Sequence, residues 1–141
     1  MEKSFIVLVE DNADDAYLAM RVIGKVCTDK VIVARDGEEA GLLLNKMAAD
    51  GAHKQIRLVL LDLKLPKVSG IEVLQGIRAA PELKSLPVAV LTSSDNDLDQ
   101  QRCRELGVLD YIYKPMTADR LQRVLGHDQD AEARPGPGMG K

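Results

Sequence analysis

The sequence predicts a doubly wound α/β domain, a parallel sheet covered by helices on both faces. Three observations carry this. Apolar runs alternate five times with stretches of helical periodicity, the order expected of a βα-repeated domain. Three of those runs, Phe5-Ile6-Val7-Leu8-Val9, Leu58-Val59-Leu60-Leu61 and Val88-Ala89-Val90-Leu91, are continuously apolar. A strand wet on one face would alternate; a strand covered on both does not. Finally, 141 residues suffice for one such domain with its own core.

In chain order, the first strand spans Phe5 to Val9. The acidic pair Asp14-Asp15 then suits a helix start, and Ala16, Met20, Ile23 and Cys27 fall on one stripe. Val31-Ile32-Val33-Ala34 gives the second strand, and Ala40, Leu43, Leu44 and Met47 the stripe of the second helix. The third strand ends at Leu61, and Ser69 caps a third helix carrying Ile71, Leu74 and Ile77, closed before Pro81. The fourth strand runs to Leu91. A fourth helix covers about Asn96 to Leu106 and ends at Gly107. Its anchors are only Leu98, Cys103 and Leu106, so its core stripe is thin. Tyr111-Ile112-Tyr113 is a short, mixed run that suits an edge strand. The fifth helix starts after Pro115, carries Ala118, Leu121, Val124 and Leu125, and stops near Gly126. The domain therefore covers residues 1–126. Residues 127–141 lose apolar periodicity and become Pro/Gly-rich, so they read as a disordered tail.

Composition narrows the function classes. A net charge of -3 lacks the concentrated basic surface that direct nucleic-acid binding needs. No apolar run approaches the ~20 residues of a membrane span, and the first apolar run turns acidic too soon for a secretory signal. Cys27 and Cys103 lack the spacing of redox or zinc sites and read as reduced packing thiols. A cytoplasmic location is the expectation. His53 and His127 read as solvated surface, and Met47 and Cys103 as packing.

In an open parallel sheet, ligands bind beyond the carboxyl ends of the strands. There the first strand gives Glu10-Asp11, the third Asp62, the fourth Thr92-Ser93 and the fifth Lys114-Pro115. Each alone has an ordinary reading, since a strand-end Asp is commonly a cap and Lys-Pro a turn. Together they bring three carboxylates, a hydroxyl and an ammonium to one edge. Three close carboxylates repel unless a cation intervenes. Oxygen ligands with room for water suit Mg²⁺. A metal and a lysine beside one carboxylate would offset the charge of an arriving phosphoryl group.

Val9-Glu10-Asp11-Asn12, Leu60-Leu61-Asp62-Leu63-Lys64-Leu65-Pro66, Ser69-Gly70, Leu91-Thr92-Ser93 and Tyr111-Ile112-Tyr113-Lys114-Pro115 resemble the hallmarks of response-regulator receiver domains. The match spans about residues 4–125, in the family's order and approximate spacing. The resemblance implies a flavodoxin-like five-stranded sheet of order 2-1-3-4-5. It implies that Asp62 is the phosphoacceptor, served by a histidine kinase or phosphotransfer protein. Mg²⁺ would be held by Asp11, Asp62 and the backbone carbonyl of Lys64, with Glu10 acting through water. Lys114 would pair with the acceptor and then with the phosphoryl oxygens, and the Lys114-Pro115 peptide would be cis. Thr92 and Tyr111 match the hydroxyl–aromatic switch pair. Lys64 and Ser94 occupy variable positions that influence dephosphorylation. Output would pass to a downstream protein or a homodimer partner through the face of the fourth helix, fifth strand and fifth helix. The long Ala48 to Ile56 stretch resembles single-domain regulators associated with phytochrome-type kinases.

Two rivals share parts of this pattern. A haloacid-dehalogenase-type phosphatase also uses a strand-end Asp with Mg²⁺, but expects a second Asp where Lys64 stands. A flavodoxin-type module binds cofactor phosphate in its first loop, and here that loop is the acidic Glu10-Asp11-Asn12-Ala13-Asp14-Asp15. A receiver-like adaptor that takes no phosphate is the third alternative.

Overall fold

The computed structural model describes residues 4–133. Strand β1 (Phe5–Val9) leads through helix α1 (Ala13–Val26) to β2 (Lys30–Ala34), and α2 (Gly37–Asp50) follows. A 3-10 turn, Ala52–Gln55, then enters β3 (Ile56–Leu61). The remaining elements are α3 (Gly70–Ala79), β4 (Val88–Thr92), α4 (Asp97–Glu105), β5 (Asp110–Tyr113) and α5 (Ala118–Ala133). The five strands form one parallel sheet of order β2-β1-β3-β4-β5, the flavodoxin-like order that the resemblance implies.

Alternation along the strands builds two cores, one on each face of the sheet. Val7, Val9, Val59, Leu61, Val88 and Val90 pack with Ala40, Leu44 and Met47 of α2, Ile71, Leu74 and Ile77 of α3, and Cys103 of α4. Ile6, Leu8, Leu58, Leu60, Ala89 and Leu91 face the other way, against Ala16, Ala19 and Ile23 of α1 and Leu121, Val124 and Leu125 of α5. This double coverage is why the central runs are apolar throughout.

Side-chain caps set where the helices begin. Asn12 accepts from the Asp15 N–H, Asp36 from Glu39, and Asn96 from Leu98 and Asp99. Ser69 and Glu72 form a reciprocal capping box. Gly107 takes φ +73 just beyond α4, the left-handed conformation that glycine adopts without a Cβ clash.

Four sequence expectations need correction. Met20 is exposed, and Ala19 takes the stripe position between Ala16 and Ile23. Steps of three and four both satisfy a helical period, and here the sheet-facing line runs through residues 16, 19 and 23. Leu98 is also exposed, at 69%, leaving Cys103 and the partly buried Leu106 to anchor α4. Helix α5 does not stop near Gly126 but continues to Ala133. A glycine inside a helix costs only about 1 kcal/mol, and the following Asp-Gln-Asp-Ala-Glu-Ala contains no breaker. Of the expected tail, residues 134–141 lie outside the described residues. His53 is half-buried rather than solvated, with its Nδ1 buried and unpartnered. His127, also expected at the surface, lies beyond the described side chains.

Candidate functional site

Sheet hydrogen bonds continue past the strand ends and so fix the residues that matter. The Glu10 N–H donates to Ala34 O (2.9 Å), Asp62 N–H to Val9 O (3.0 Å), and Lys114 N–H to Thr92 O (2.9 Å). Glu10, Asp62 and Lys114 thus leave β1, β3 and β5 at the same edge of the sheet. Carboxylate oxygens of Glu10, Asp11 and Asp62 can all lie within 4.8 Å of one another. Glu10 and Asp62 are buried, at 1% and 5% exposure, and Asp11 is exposed. The acidic pocket is therefore closed on the protein side and open at Asp11.

Lys114 is the cation that this arrangement surrounds. Its Nζ lies 2.7 Å from Glu10 Oε1, 2.9 Å from Asp15 Oδ2 and 2.9 Å from Asp62 Oδ2. Burial pulls the Lys114 ammonium down, but its close contacts with these three carboxylates outweigh it and hold the amine above the ordinary lysine range. Burial pushes the Glu10 carboxyl up, opposed by its bonds to Lys114 and to the Asn12 N–H. Asp62 Oδ1 accepts the Lys64 N–H at 3.1 Å. The Lys114–Pro115 peptide is cis.

Three carboxylates therefore contact one ammonium, and Asp11 adds a fourth negative charge beside Glu10 and Asp62. This donor set fits a hard divalent cation, because all the ligating atoms are oxygens and the excess charge is negative. Asp11, exposed and beside Asp62, lies where such an ion would be reached from solvent.

Thr92 is fully buried, and its hydroxyl accepts the Ser94 N–H at 3.2 Å. Tyr111 is half-buried and donates its hydroxyl to Ser94 O at 3.1 Å. Burial pushes the Tyr111 phenol up to about 12, so it remains a proton donor at ordinary pH. Thr92 and Tyr111 thus meet through the backbone of one residue, Ser94. The Ser94 hydroxyl in turn accepts the Asn96 N–H at 3.4 Å, and Asn96 caps α4.

The structure brings together Glu10, Asp11, Asp62 and Lys114, and connects Thr92 to Tyr111. Lys64 meets Asp62 through its N–H. Sequence reasoning missed Asp15, which read only as a helix-start acid. A signal existed, since Asp15 lies one turn before the buried Ala19 and so shares its sheet-facing side.

A family model for the response regulator receiver domain matches residues 6–125. The chain belongs to this family. Among relatives of this receiver domain, the probable methanogenesis regulatory protein FilR2 of Methanothrix harundinacea is 40% identical over 85% of this chain and 77% of its own length. The response regulator Rcp1 of Synechocystis is also 40% identical, over 85% of this chain and 82% of Rcp1. The Mn²⁺-bound crystal structure of Rcp1 superposes with TM-score 0.72 at 36% identity, covering 89% of this chain and 92% of Rcp1. The bacteriophytochrome response regulator AtBRR superposes with TM-score 0.76 at 39% identity, covering 91% and 93%. The receiver domain is thus a response-regulator signalling module with an acidic cluster suited to a divalent metal. Among its described residues, no helix is long and apolar enough to cross a membrane.

Proposed function

We propose that this receiver is a phosphorylation switch in which Asp62 accepts a phosphoryl group from a histidine kinase or phosphotransfer protein. The carrying observation is Asp62 itself, a nearly buried carboxylate at a strand end with Lys114 Nζ 2.9 Å from its Oδ2. An Asp62 oxygen attacks phosphorus as the donor's phosphorus–nitrogen bond breaks, and the bond pair leaves with the imidazole. Lys114 meets the charge gathering on the phosphoryl oxygens. Asp11, Asp62 and the Lys64 carbonyl would hold Mg²⁺, with Glu10 acting through water. When bound, the metal would neutralise acceptor and phosphoryl oxygens. The Mn²⁺-bound form of Rcp1 supports a divalent ion in a relative. Chemistry in this reading is limited to the chain's own phosphotransfer and dephosphorylation. The phosphatase alternative is disfavoured, since Lys64 stands where that family expects its acid. The bacteriophytochrome relatives favour a phytochrome-type kinase as donor.

A cytoplasmic place follows from such a donor. An autophosphorylated cognate kinase should lose label to the parent chain when Mg²⁺ is present. It should keep that label when the metal is chelated or when Asp62→Asn replaces the parent. Transfer to the Asn variant at the parent's rate would refute the assignment.

Readout would run through Thr92. Its hydroxyl bonds Ser94, and Ser94 in turn bonds Tyr111 and the α4 cap. A hydroxyl drawn to the phosphoryl group releases the Ser94 N–H and so disturbs both. The exposed Leu98 and Tyr113 support an output surface on the α4–β5–α5 face, where a second copy or a downstream protein would dock. Thr92→Ala should still take phosphate on Asp62, since attack needs mainly Lys114 and the metal. A hydrogen bond to a charged group contributes about 1.5–3 kcal/mol, roughly a 10- to 150-fold bias between two states. On phosphorylation, amide exchange across residues 92–113 should change in the parent and stay near its starting pattern in Thr92→Ala. Equal changes in both would remove Thr92 from the readout.

A further inference from the structure

An ammonium has three N–H bonds to donate. Lys114 donates two of them, to Asp15 and Asp62 at 2.9 Å each, and the Glu10 carboxylate closes on the same ammonium as an ion pair at 2.7 Å. An incoming phosphoryl oxygen therefore meets an ammonium enclosed by three carboxylates and has to displace one of them to reach it.

The three partners differ in how easily they leave. Glu10 is 1% exposed, so releasing it would strand a buried charge. Asp62 is 6% exposed and is the group to which the phosphoryl is bonded. Asp15 is 38% exposed and returns readily to water. It lines, with Lys114, Leu18, Arg21 and Met116, an open groove of about 530 Å³ between α1 and the segment after β5.

Local structure explains why the Asp15 carboxylate is available. It is the third residue of α1, a position whose acid commonly reaches back to the N–H of the capping residue. Glu72 does so to Ser69 in α3. In α1 the Asn12 N–H is already taken by Glu10 Oε2 at 3.2 Å, while Asn12 Oδ1 holds the Asp15 N–H at 2.9 Å. The backbone of Asp15 is fixed and its carboxylate is turned onto Lys114.

We propose that Asp15 is a positioning residue that occupies a donor hydrogen of Lys114 and yields it to the phosphoryl group, acting as a brake on phosphoryl acceptance. The inference rests on Asp62 being the phosphoacceptor. Removing the competitor frees that donor, with Glu10 and Asp62 still holding the amine in place.

The test is the initial rate of acyl phosphate formation from acetyl phosphate at saturating Mg²⁺. Asp15→Ala should label about two- to five-fold faster than the parent, the range for an ion pair of this exposure. Asp15→Glu, which restores a competing carboxylate, should return to the parent rate, and Asp15→Asn should fall between. A general charge effect on an anionic donor would fade in about 1 M salt, where screening acts beyond about 3 Å; a contact effect persists. Asp14→Ala removes the neighbouring charge without touching Lys114 and should match the parent in high salt. A parent that labels while Asp15→Ala is no faster, or a gain that disappears in high salt, overturns the role of Asp15 alone. A parent that never labels overturns the Asp62 assignment, and this inference with it.

Discussion

Gly70→Ala should destabilise the domain by about 3 kcal/mol or more and abolish phosphoryl acceptance together with it. A Cβ at residue 70 would lie 2.3 Å from Asp62 O and 2.5 Å from Leu63 Cα. Both are backbone atoms of the segment that carries the candidate acceptor, so no side chain can rotate away. The Gly70 N–H also donates to Leu63 O at 3.0 Å, which locks the start of α3 onto that segment. Relief therefore has to come from moving α3 or displacing Asp62. Gly76→Ala, in the same helix, meets nothing within 4 Å. It should stabilise by about 0.5–1 kcal/mol, because alanine loses less backbone freedom than glycine in a helix. Urea midpoints of the two variants should move in opposite directions. A Gly70→Ala midpoint within error of the parent would show that the close approach is not obligatory.

Arg78→Ala should cost about 3–5 kcal/mol without touching the acidic site. Its Nε donates to Leu106 O at 2.6 Å, and its Nη atoms donate to Leu86 O at 2.7 Å, Lys84 O at 2.9 Å and Gly107 O at 3.2 Å. One guanidinium thus ties the end of α3 to the loop before β4 and to the turn after α4. Burial lowers the Arg78 guanidinium, and among the described residues no carboxylate pairs with it, so the carbonyls carry the charge. Arg78→Lys should recover less than half of the loss, since a single ammonium cannot reproduce a planar fork reaching four acceptors. If Arg78→Ala unfolds within about 1 kcal/mol of the parent, water replaces the arginine at those carbonyls.

Strand ends were legible in the sequence because their chemistry is local. Continuous apolar runs announce a doubly covered sheet, and the residue following each run must emerge at its carboxyl edge. Glu10, Asp11, Asp62 and Lys114 could therefore be grouped from sequence alone, and Ser69 named as a cap. The tight Gly70 was visible only as part of a motif, since its necessity comes from Asp62 and Leu63 packing against it. Asp15 and Arg78 were hidden for a related reason. Asp15 reaches a lysine 99 positions away, and Arg78 reaches carbonyls up to 29 positions away. Neither pairing leaves a periodic trace. Met20 and Leu98 misled because helical periodicity admits neighbouring stripes, and the sheet decides between them. The end of α5 misled because Gly126 is a permitted interior glycine rather than a terminator.

The most direct measurement is the intact mass of the protein after incubation with Mg²⁺ and acetyl phosphate, for the parent and for Asp62→Asn. A small donor removes any dependence on partner recognition and asks only whether this strand-end carboxylate is the nucleophile. The parent should gain the mass of one phosphoryl group and lose it on brief treatment with base, as an acyl phosphate does, while Asp62→Asn gains none. Stoichiometric labelling of Asp62→Asn, or a parent that stays unlabelled with Mg²⁺ saturating, would contradict the account.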